Sequence, residues 1–411
     1  MTGSPQPAEG GRARSFLFLQ GLASRLFSDL GGELLARGHR VRRINFNGGD
    51  QVFWRRPGAV AYRGGRERWP AFFRARVLEW GVTDVVLFGD CRPLHRDAIA
   101  LAGELGARVH VFEEGYLRPN WITLERDGVN ARSGLARDAD WLAEAAALPE
   151  AAPEPVVPGS FSRRAWEDVV YNTASLLLSP AYPGYRTHRP WHPLVEYAGW
   201  IGRLARAGGD RARSARKLKA LAATGRPYFL HPLQLDCDSQ IRVHSGFRRL
   251  APAIAHVVGS FAAHAPPETL LVVKEHPFDN RLTDWNRVVR SAAAAAGVAD
   301  RVVFLEDAVL DPVLAEAVGV VTVNSTVGLL ALSQGLPVKV LGTAIYDADG
   351  LTHAGDLASF WRAPQHPDPE RVGAFRRVLA ARTQINGGFF SEEGLALAVR
   401  GATARLESAA A

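Results

Sequence analysis

Two short polar segments, each following an apolar run, carry side chains that could bind a phosphate group. The first contains Lys274, His276 and Pro277, and the second is Asn324-Ser325-Thr326. In an open α/β sheet, ligands bind beyond the carboxyl ends of the strands, so both segments are expected at one crevice. Ser325 and Thr326 also begin the next predicted helix, whose N-terminal amides favour anions. Each motif alone is more often structural, but together they predict a nucleotide-phosphate site without a Walker loop, as in a nucleotide-sugar enzyme.

Two aspartates follow a third apolar run, in the segment from His231 to Gln240. Asp236 and Asp238 have the Asp-x-Asp spacing that can hold a divalent metal on a nucleotide diphosphate. A carboxylate at this position could instead attack an anomeric carbon and form a glycosyl-enzyme intermediate, which retains the configuration of the sugar. A third interpretation is that both aspartates cap a helix. The residues alone leave all three interpretations open.

A pair of adjacent glutamates, Glu113 and Glu114, ends another apolar run and is followed by Tyr116 and Arg118. Neighbouring carboxylates repel each other, which can raise one pKa into the range of a general acid or base. The alternative is a turn with surface glutamates. Loops at equivalent strand ends add further candidate contacts to a substrate, namely Asn47, Asp50, Asp90 and Arg92.

The elements that must position these residues alternate between apolar runs and helical patterns. In the first half, the runs at 15–19, 41–46, 85–88 and 109–112 are predicted strands, each with a polar end. A second unit begins near residue 228, with predicted strands at 228–231, 269–274, 301–305, 318–323 and 337–341. Strand, polar end and helix in repetition predict a doubly wound α/β fold with two units. The segment from Trp166 to Lys219 is predicted to be helical, and a last amphipathic helix covers 392–406.

The composition limits the class of protein. The chain has 411 residues, with 47% apolar and 22% charged residues, which is typical of a globular protein with two domains. It contains no apolar run long enough to span a membrane and no apolar segment near Met1 that resembles a secretory signal. Its two cysteines predict neither a disulfide framework nor a zinc site, and favour the cytoplasm.

The net charge of +7 predicts an anionic partner. Seven basic residues lie between Arg203 and Lys219, where Asp210 is the only acid. This stretch is either a solvated helix face or a surface attracted to anionic lipid headgroups. No recognised nucleic-acid-binding motif accompanies the charge, so a nucleic-acid partner is disfavoured.

The motifs, taken in order, resemble the capsule polysaccharide synthesis family of Gram-negative bacteria, specifically its KpsS/LipB-type β-Kdo transferases. The resemblance extends from Leu17 to Gly388. It rests on five segments: Ile44 to Asp50, Glu113 to Pro119, Pro232 to Gln240, Lys274 to Pro277, and Asn324 to Thr326.

This resemblance implies a GT-B-like α/β fold with two Rossmann-type domains facing a central cleft. The expected organisation is a disordered tail (1–14), an N-terminal acceptor-side domain (15–160) and a helical, aromatic and basic connecting segment (161–222). These are followed by a C-terminal domain that binds the CMP-sugar (223–385) and by a C-terminal helix that packs back on the first unit (386–411).

The resemblance also implies a retaining transfer of Kdo from CMP-β-Kdo to the glycerol of phosphatidylglycerol or its lyso form. Asp238, in a Gln-x-x-x-Asp setting, is the expected nucleophile, and Glu113 is the expected acid/base, supported by Glu114. The expected CMP-Kdo-binding residues are Gln234, Lys274, His276, Pro277, Asn324, Ser325, Thr326 and Arg118. Acceptor or cleft contacts are expected from Gly21, Asn47, Asp50, Asp90, Arg92 and Tyr116.

The expected location is the cytoplasmic face of the inner membrane, as a peripheral protein alongside other capsule synthesis or export proteins. No metal is expected to be essential, because CMP is a monophosphate leaving group. Two rival functions remain: a GT-B transferase that uses another nucleotide sugar, and a non-catalytic lipid-binding subunit of the capsule assembly.

Overall fold

The computed structural model of the protein describes residues 13–135, 140–149, 155–187 and 191–408, which form two compact units. Unit 1 contains the described residues of 1–134, 150–188 and 379–411, and unit 2 contains those of 135–149 and 189–378. Of the predicted tail, 1–14, residues 1–12 lie outside the described residues. Arg14 is not part of a tail, because its guanidinium forms an ion pair with the buried Asp84.

The strands are numbered in chain order. They are β1 (Ser15–Phe18), β2 (Arg40–Asn45), β3 (Ala59–Ala61), β4 (Asp84–Phe88), β5 (Arg108–Glu114), β6 (Trp121–Arg126), β7 (Tyr228–Pro232), β8 (Leu270–Lys274), β9 (Val302–Leu305), β10 (Gly319–Thr322), β11 (Val338–Val340) and β12 (Gln384–Asn386).

The α-helices of the described residues follow the same convention. They are α1 (Leu26–Ala36), α2 (Gly48–Phe53), α3 (Trp69–Glu79), α4 (Pro93–Glu104), α5 (Trp141–Ala147), α6 (Phe161–Leu177), α7 (Pro193–Thr224), α8 (Ser239–Arg242), α9 (Leu250–His264), α10 (Trp285–Ala295), α11 (Leu310–Ala315), α12 (Thr326–Ser333), α13 (Leu357–Arg362), α14 (Pro369–Thr383) and α15 (Glu392–Ser408).

Unit 1 is built on a seven-stranded sheet with the order β12-β6-β5-β4-β1-β2-β3. Strands β1 to β5 are parallel, whereas β6 runs antiparallel to both β5 and β12. The central strand β4 is buried along its whole length, as expected of a parallel strand covered on both faces. The sheet therefore has a Rossmann-type parallel core that is extended at one edge by β6 and β12.

Unit 2 is built on a five-stranded, fully parallel sheet with the order β11-β10-β7-β8-β9. The five parallel strands of unit 1 have the equivalent order, β5-β4-β1-β2-β3. In each sheet the strand order reverses between the first and the fourth strand, which are β1 and β4 in unit 1 and β7 and β10 in unit 2. Phe229, Val273 and Val321 of this sheet pack with Ile254 and Phe261 of α9 in one apolar core. The predicted α/β class with two Rossmann-type units is confirmed.

The end of the chain belongs to unit 1. Leu395, Ala398, Ala402 and Leu406 of α15 pack in the same core as α1, and β12 pairs with β6. The last helix therefore packs in the core of unit 1. The segment predicted as one connector, 161–222, is divided, because α6 belongs to unit 1 and α7 to unit 2.

Candidate functional site

The strand order of unit 2 reverses between β7 and β10, and polar residues follow both strands. Gln234 and Asn324 exchange two hydrogen bonds there. Gln234 Nε2 donates to Asn324 Oδ1 at 3.0 Å, and the backbone N–H of Asn324 donates to Gln234 Oε1 at 3.2 Å. The Asn324 side chain also donates to the carbonyls of Gln240 and His244. Both side chains are buried. This pair holds the loops after β7 and β10 together at the topological switch point, where ligands bind in such sheets.

A buried histidine adds a further link between the two strands. His231 Nδ1 lies 2.7 Å from the Val321 carbonyl oxygen, which it can meet only as a donor. Burial lowers the pKa of His231 to about 4, despite this hydrogen bond, so the ring is neutral at pH 7. His231 is therefore a structural member of the sheet end.

The second predicted motif begins α12 as expected. The Ser325 side chain caps the helix by accepting a hydrogen bond from the Val327 amide at 3.2 Å, and Thr326 is the first helical residue. The Tyr346 hydroxyl donates to the Ser325 carbonyl and so holds the turn that begins the helix. The loop thus presents a helix N-terminus at the end of β10, which is the geometry that favours an anion.

The first predicted motif lies on the other side of β7. The register pairs Pro232 of β7 with Lys274 of β8, so the ends of the two strands are level. Strands are spaced by about 4.8 Å, which puts the loops after β8 and β10 roughly 10 Å apart across β7. His276 Nδ1 accepts a hydrogen bond from the Phe278 amide at 3.0 Å, so in the neutral ring the proton is on Nε2.

Lys274 is buried, and its ammonium donates to the Glu275 carbonyl at 3.2 Å. Burial lowers the pKa of Lys274, although the nearby carboxylates of Glu275 and Asp307 oppose the shift. Pro277 is exposed. Of the predicted motif, His276 is therefore the side chain best suited to meet a ligand, because it is more exposed than the buried Lys274.

The loop that carries His276 is anchored by ion pairs that sequence reasoning missed. Glu275 forms an ion pair with Arg281 at 2.6 Å, and Arg281 also pairs with Asp210 of α7. Arg203 of α7 donates to the Asp279 carbonyl. These partners come from distant parts of the chain, and no local pattern in the sequence indicates them.

The two aspartates after β7 both accept hydrogen bonds from helix N-termini. Asp238 Oδ1 accepts from the Gln240 amide at 2.9 Å and caps α8. Asp236 Oδ1 accepts from the Leu250 amide, the first of α9, at 2.7 Å. The capping interpretation therefore holds for both residues, and it leaves the proposed nucleophilic role of Asp238 a prediction.

In unit 1, the two predicted acid/base glutamates have different surroundings. Glu114 forms an ion pair with Arg164 of α6 at 3.1 Å. Glu113 accepts a hydrogen bond from the Glu114 amide at 3.0 Å, and its carboxylate lies next to Gly89 at the end of β4. Arg118 is exposed and donates to the Gly115 carbonyl at 3.0 Å. Glu113 thus lies at the ends of β4 and β5, where the chemistry of a Rossmann-type unit is found.

Tyr116 is buried and belongs to a polar cluster beneath this loop. Its hydroxyl donates to Glu125 Oε1 at 2.8 Å and accepts from the Asn130 amide at 2.5 Å. The Ser133 hydroxyl donates to the other oxygen of Glu125. Burial raises the pKa of Glu125 to about 7, which these hydrogen bonds only partly offset. The structure therefore gives Tyr116 a role in holding the loop, and its contact with an acceptor stays a prediction.

Asn47 and Asp50 are also buried, and they attach α6 to the sheet of unit 1. Asp50 lies 3.2 Å from the Arg43 guanidinium and accepts a hydrogen bond from the Tyr171 hydroxyl at 3.1 Å. Asn47 donates to the same hydroxyl at 2.9 Å, as does Gln20 at 2.8 Å. Burial raises the pKa of Asp50, and the charge of Arg43 opposes this. Their predicted acceptor contacts remain untested.

Asp90, Arg92 and Gly21 lie at the reversal of strand order in unit 1, between β1 and β4. Arg92 donates to the Gly21 carbonyl at 3.1 Å and joins the two strand ends. Asp90 is buried, accepts from the Val129 amide at 3.3 Å and lies 3.6 Å from the Arg132 guanidinium. The structure brings these three residues together with Glu113 around the ends of β1, β4 and β5.

Comparison with known proteins decides the family. Residues 83–390 match the family described as "Capsule polysaccharide biosynthesis protein". The chain belongs to this capsule polysaccharide biosynthesis family. It is 34% identical to the capsule polysaccharide export protein KpsS of Escherichia coli, over 92% of this chain and 97% of the relative. It is 37% identical to the capsule polysaccharide modification protein LipB of Neisseria meningitidis serogroup B, over 92% of each chain. The resemblance predicted from the motifs is confirmed.

Among solved structures, the chain is similar to KpsC of Thermosulfurimonas dismutans, described as a beta Kdo 2,7 transferase. The TM-score is 0.45 and the identity 13%, over 96% of this chain and all of the other. Within the part of the chain that the structure describes, no helix is long and apolar enough to cross a membrane.

Proposed function

We propose that this capsule family member is a retaining glycosyltransferase that moves Kdo from CMP-β-Kdo to the glycerol of phosphatidylglycerol or lysophosphatidylglycerol. The product would begin the poly-Kdo linker of a capsular glycolipid. The observation that carries the proposal is the end of the unit 2 sheet, where His276 and the capped N-terminus of α12 flank β7. A helix N-terminus and a histidine at the same end of one sheet suit the phosphate of a nucleotide.

In the proposed reaction, the Asp238 carboxylate attacks the anomeric carbon of Kdo while the bond from that carbon to the CMP phosphate oxygen breaks. CMP leaves with the electron pair of that bond, and a glycosyl ester of Asp238 forms. Glu113 then takes the proton of a glycerol hydroxyl as its oxygen attacks the same carbon and releases Asp238. Two inversions give net retention. Arg118, Arg242 and Lys274 are candidates to bind the sugar carboxylate.

Gln234 and Asn324 support this chemistry by holding the loop that carries Asp238 against the loop that begins α12. Glu113 lies next to Gly89 at the ends of β4 and β5, which supports the assignment of the base to Glu113. Because the leaving group is a monophosphate, we propose that the reaction needs no essential metal. Activity that survives exhaustive treatment with EDTA would support this, and activity restored only by a divalent cation would contradict it.

The direct test is a transfer assay with purified protein, fluorescent phosphatidylglycerol and CMP-Kdo generated in situ, followed by mass spectrometry of the lipid. A gain of one Kdo mass supports donor, acceptor and reaction class together. No gain, with CMP-Kdo shown to be present and the protein folded, would contradict the proposal. Competition by CMP against UDP separates the proposed enzyme from a transferase that uses another nucleotide sugar, whereas a non-catalytic lipid-binding subunit would bind membranes and no nucleotide.

The similarity to capsule proteins and the lipid acceptor together lead us to propose a peripheral position on the cytoplasmic face of the inner membrane. Other capsule synthesis and export proteins are the proposed partners there. Fractionation of cells, with release of the protein from membranes by high salt, tests this position, and recovery only in the soluble fraction at low salt would contradict it.

A further inference from the structure

Helix α7 of unit 2 has two faces of opposite character. Its buried residues are Arg203, Asp210, Ser214 and Leu221, which are spaced by seven, four and seven residues and therefore lie on one side. Ser214 donates to the Glu306 carbonyl, and Arg203 donates to the Asp279 carbonyl, so this side is attached to the rest of unit 2.

The basic residues of α7 divide between these faces. Arg203 and Arg211 pair with Asp307, Arg213 pairs with Asp210, and Lys217 pairs with Glu306. The interpretation of the whole basic stretch as a lipid-attracting surface is therefore wrong for these four, whose charge is matched within unit 2. Among the described residues, no carboxylate lies within ion-pair distance of Arg206, Arg216 or Lys219.

The opposite side, here called the outer face of α7, is exposed along its length. It comprises Leu194, Ile201, Ala212, Arg216 and Lys219, and Leu204 lies at its edge. The side chains of Leu194, Ile201 and Leu204 are 61%, 69% and 62% exposed. Trp191, just before the helix, is 46% exposed. Such a set of large apolar side chains in water is unfavourable unless something covers it.

No acidic residue lies on the outer face. The two acids of the helix, Glu196 and Asp210, are each seven residues from the buried Arg203 and therefore share its side. The outer face thus carries apolar side chains in its N-terminal half and two unpaired cations, Arg216 and Lys219, in its C-terminal half. Exposed apolar side chains together with Lys or Arg, and without acids, match the surface of an anionic bilayer, which offers acyl chains beneath negatively charged phosphates.

We propose that the outer face of α7 docks on a bilayer of anionic phospholipid. Leu194, Ile201 and Leu204 enter the boundary between headgroups and acyl chains, and Arg216 and Lys219 bind lipid phosphates. Trp191, just before the helix, is of the residue type that is enriched at membrane–water interfaces. The purpose of this contact rests on the proposed lipid acceptor, because docking would hold the enzyme where its acceptor is, but the contact itself does not depend on it.

A second copy of the chain fits the outer face less well than a bilayer. An antiparallel copy would bury Lys219 against Leu194, and a parallel copy would bring Arg216 against Arg216. Both arrangements desolvate cations without a carboxylate partner. A bilayer surface offers apolar chains and phosphates together, which matches both halves of the face.

The test is flotation of the full-length protein with vesicles of phosphatidylglycerol and phosphatidylcholine, compared with vesicles of phosphatidylcholine alone. The variant Leu194→Ser/Ile201→Ser is expected to bind the mixed vesicles at least about tenfold more weakly, because it removes two side chains from the apolar contact. Arg216→Gln/Lys219→Gln is expected to bind the mixed vesicles about fivefold more weakly for each base removed, and only at low salt.

Matched controls remove the same chemistry from other surfaces. Leu78→Ser/Val309→Ser removes two apolar side chains that are 65% and 71% exposed, and Arg287→Gln/Arg290→Gln removes two exposed bases of α10. Both are expected to bind like the wild type. Equal binding by the face variants and their controls would overturn the proposal, as would absence of vesicle binding by the wild type. So would a concentration-dependent dimer that only the face variants abolish.

Transfer to a dispersed short-chain phosphatidylglycerol separates this inference from the proposed function. If docking is the role of the face, Leu194→Ser/Ile201→Ser transfers normally to the dispersed acceptor and poorly to vesicles. Wild-type protein that binds vesicles but modifies neither acceptor would refute the proposed function and leave the docking surface standing.

Discussion

Gln234 and Asn324 are hydrogen bonded to each other in both directions, although 90 residues separate them in the chain. They lie at the point where the strand order of unit 2 reverses, and they join the loop that carries Asp238 to the loop that begins α12. The geometry of a ligand site at this end of the sheet therefore depends on one buried amide pair.

We expect Gln234→Ala to lower the free energy of unfolding by about 1–3 kcal/mol, because it leaves buried polar groups of Asn324 without a partner. Asn324→Ala should cost more, since Asn324 also holds the carbonyls of Gln240 and His244. Urea unfolding of both single variants and the double variant gives their coupling energy. Strictly additive effects would show that the pair does not act as a unit.

Asp238→Asn should lower the rate of transfer at least about a thousandfold and leave the free energy of unfolding nearly unchanged. Asparagine accepts the same capping hydrogen bond from the Gln240 amide, so α8 keeps its N-cap, but the amide cannot act as a nucleophile. Asp236→Asn is the control, because Asp236 also accepts a hydrogen bond from an amide at a helix N-terminus. Full activity of Asp238→Asn would refute the assigned nucleophile, and comparable losses in both variants would point to loop structure instead.

The buried Glu125 should make the protein less stable as the pH rises. Its pKa of about 7 in the folded protein lies above the ordinary value of 4.5, so the folded state keeps a proton that the unfolded state releases. The unfolding free energy should therefore fall by up to about 3 kcal/mol between pH 4.5 and 7 through this group. Urea unfolding at pH 5 and pH 8 should show this fall in the wild type and not in Glu125→Gln. The exposed Glu67→Gln should behave as the wild type does, and equal slopes in all three proteins would contradict the prediction.

Gly48 should tolerate no side chain, because a Cβ there would overlap the Ala174 carbonyl of α6. We expect Gly48→Ala to lower the unfolding free energy by about 1–3 kcal/mol, as in other overpacked sites. Gly103, in the exposed part of α4, has nothing near its Cβ position, so Gly103→Ala should stabilise the protein by about 0.5–1 kcal/mol. Thermal unfolding of both variants measures the contrast, and a Gly48→Ala protein as stable as the wild type would show that α6 moves without cost.

The strands of unit 2 could be predicted to within about a residue, because each is an apolar run bounded by polar residues. Strand β3 is an apolar run of only three residues, and β12 has a single apolar residue between two polar ones. Strand β12 also pairs with β6 from more than 250 residues away. Local pattern carries no information about such a pairing. The polar residues at the strand ends could be predicted as site candidates, because each one directly follows an apolar run.

The partners of those residues could not be predicted. Tyr171 binds Asp50 across 121 residues, and Arg203 pairs with Asp307 across 104. Charge patterning within α7 counts Arg203 as an unmatched cation, because its carboxylate partner comes from another part of unit 2. Whether a polar residue near a strand end faces a ligand or another side chain is decided by such distant contacts.

The pairing of β12 with β6, and the packing of α15 in the core of unit 1, bear on how the chain is synthesised. The sheet of unit 2 is complete once residue 340 has been made, whereas unit 1 still lacks its last strand and helix at that point. Domains fold as units as they leave the ribosome. The sheet of unit 2, although second in the sequence, can therefore form first, and part of the apolar core of the nascent unit 1 stays uncovered until α15 has been synthesised.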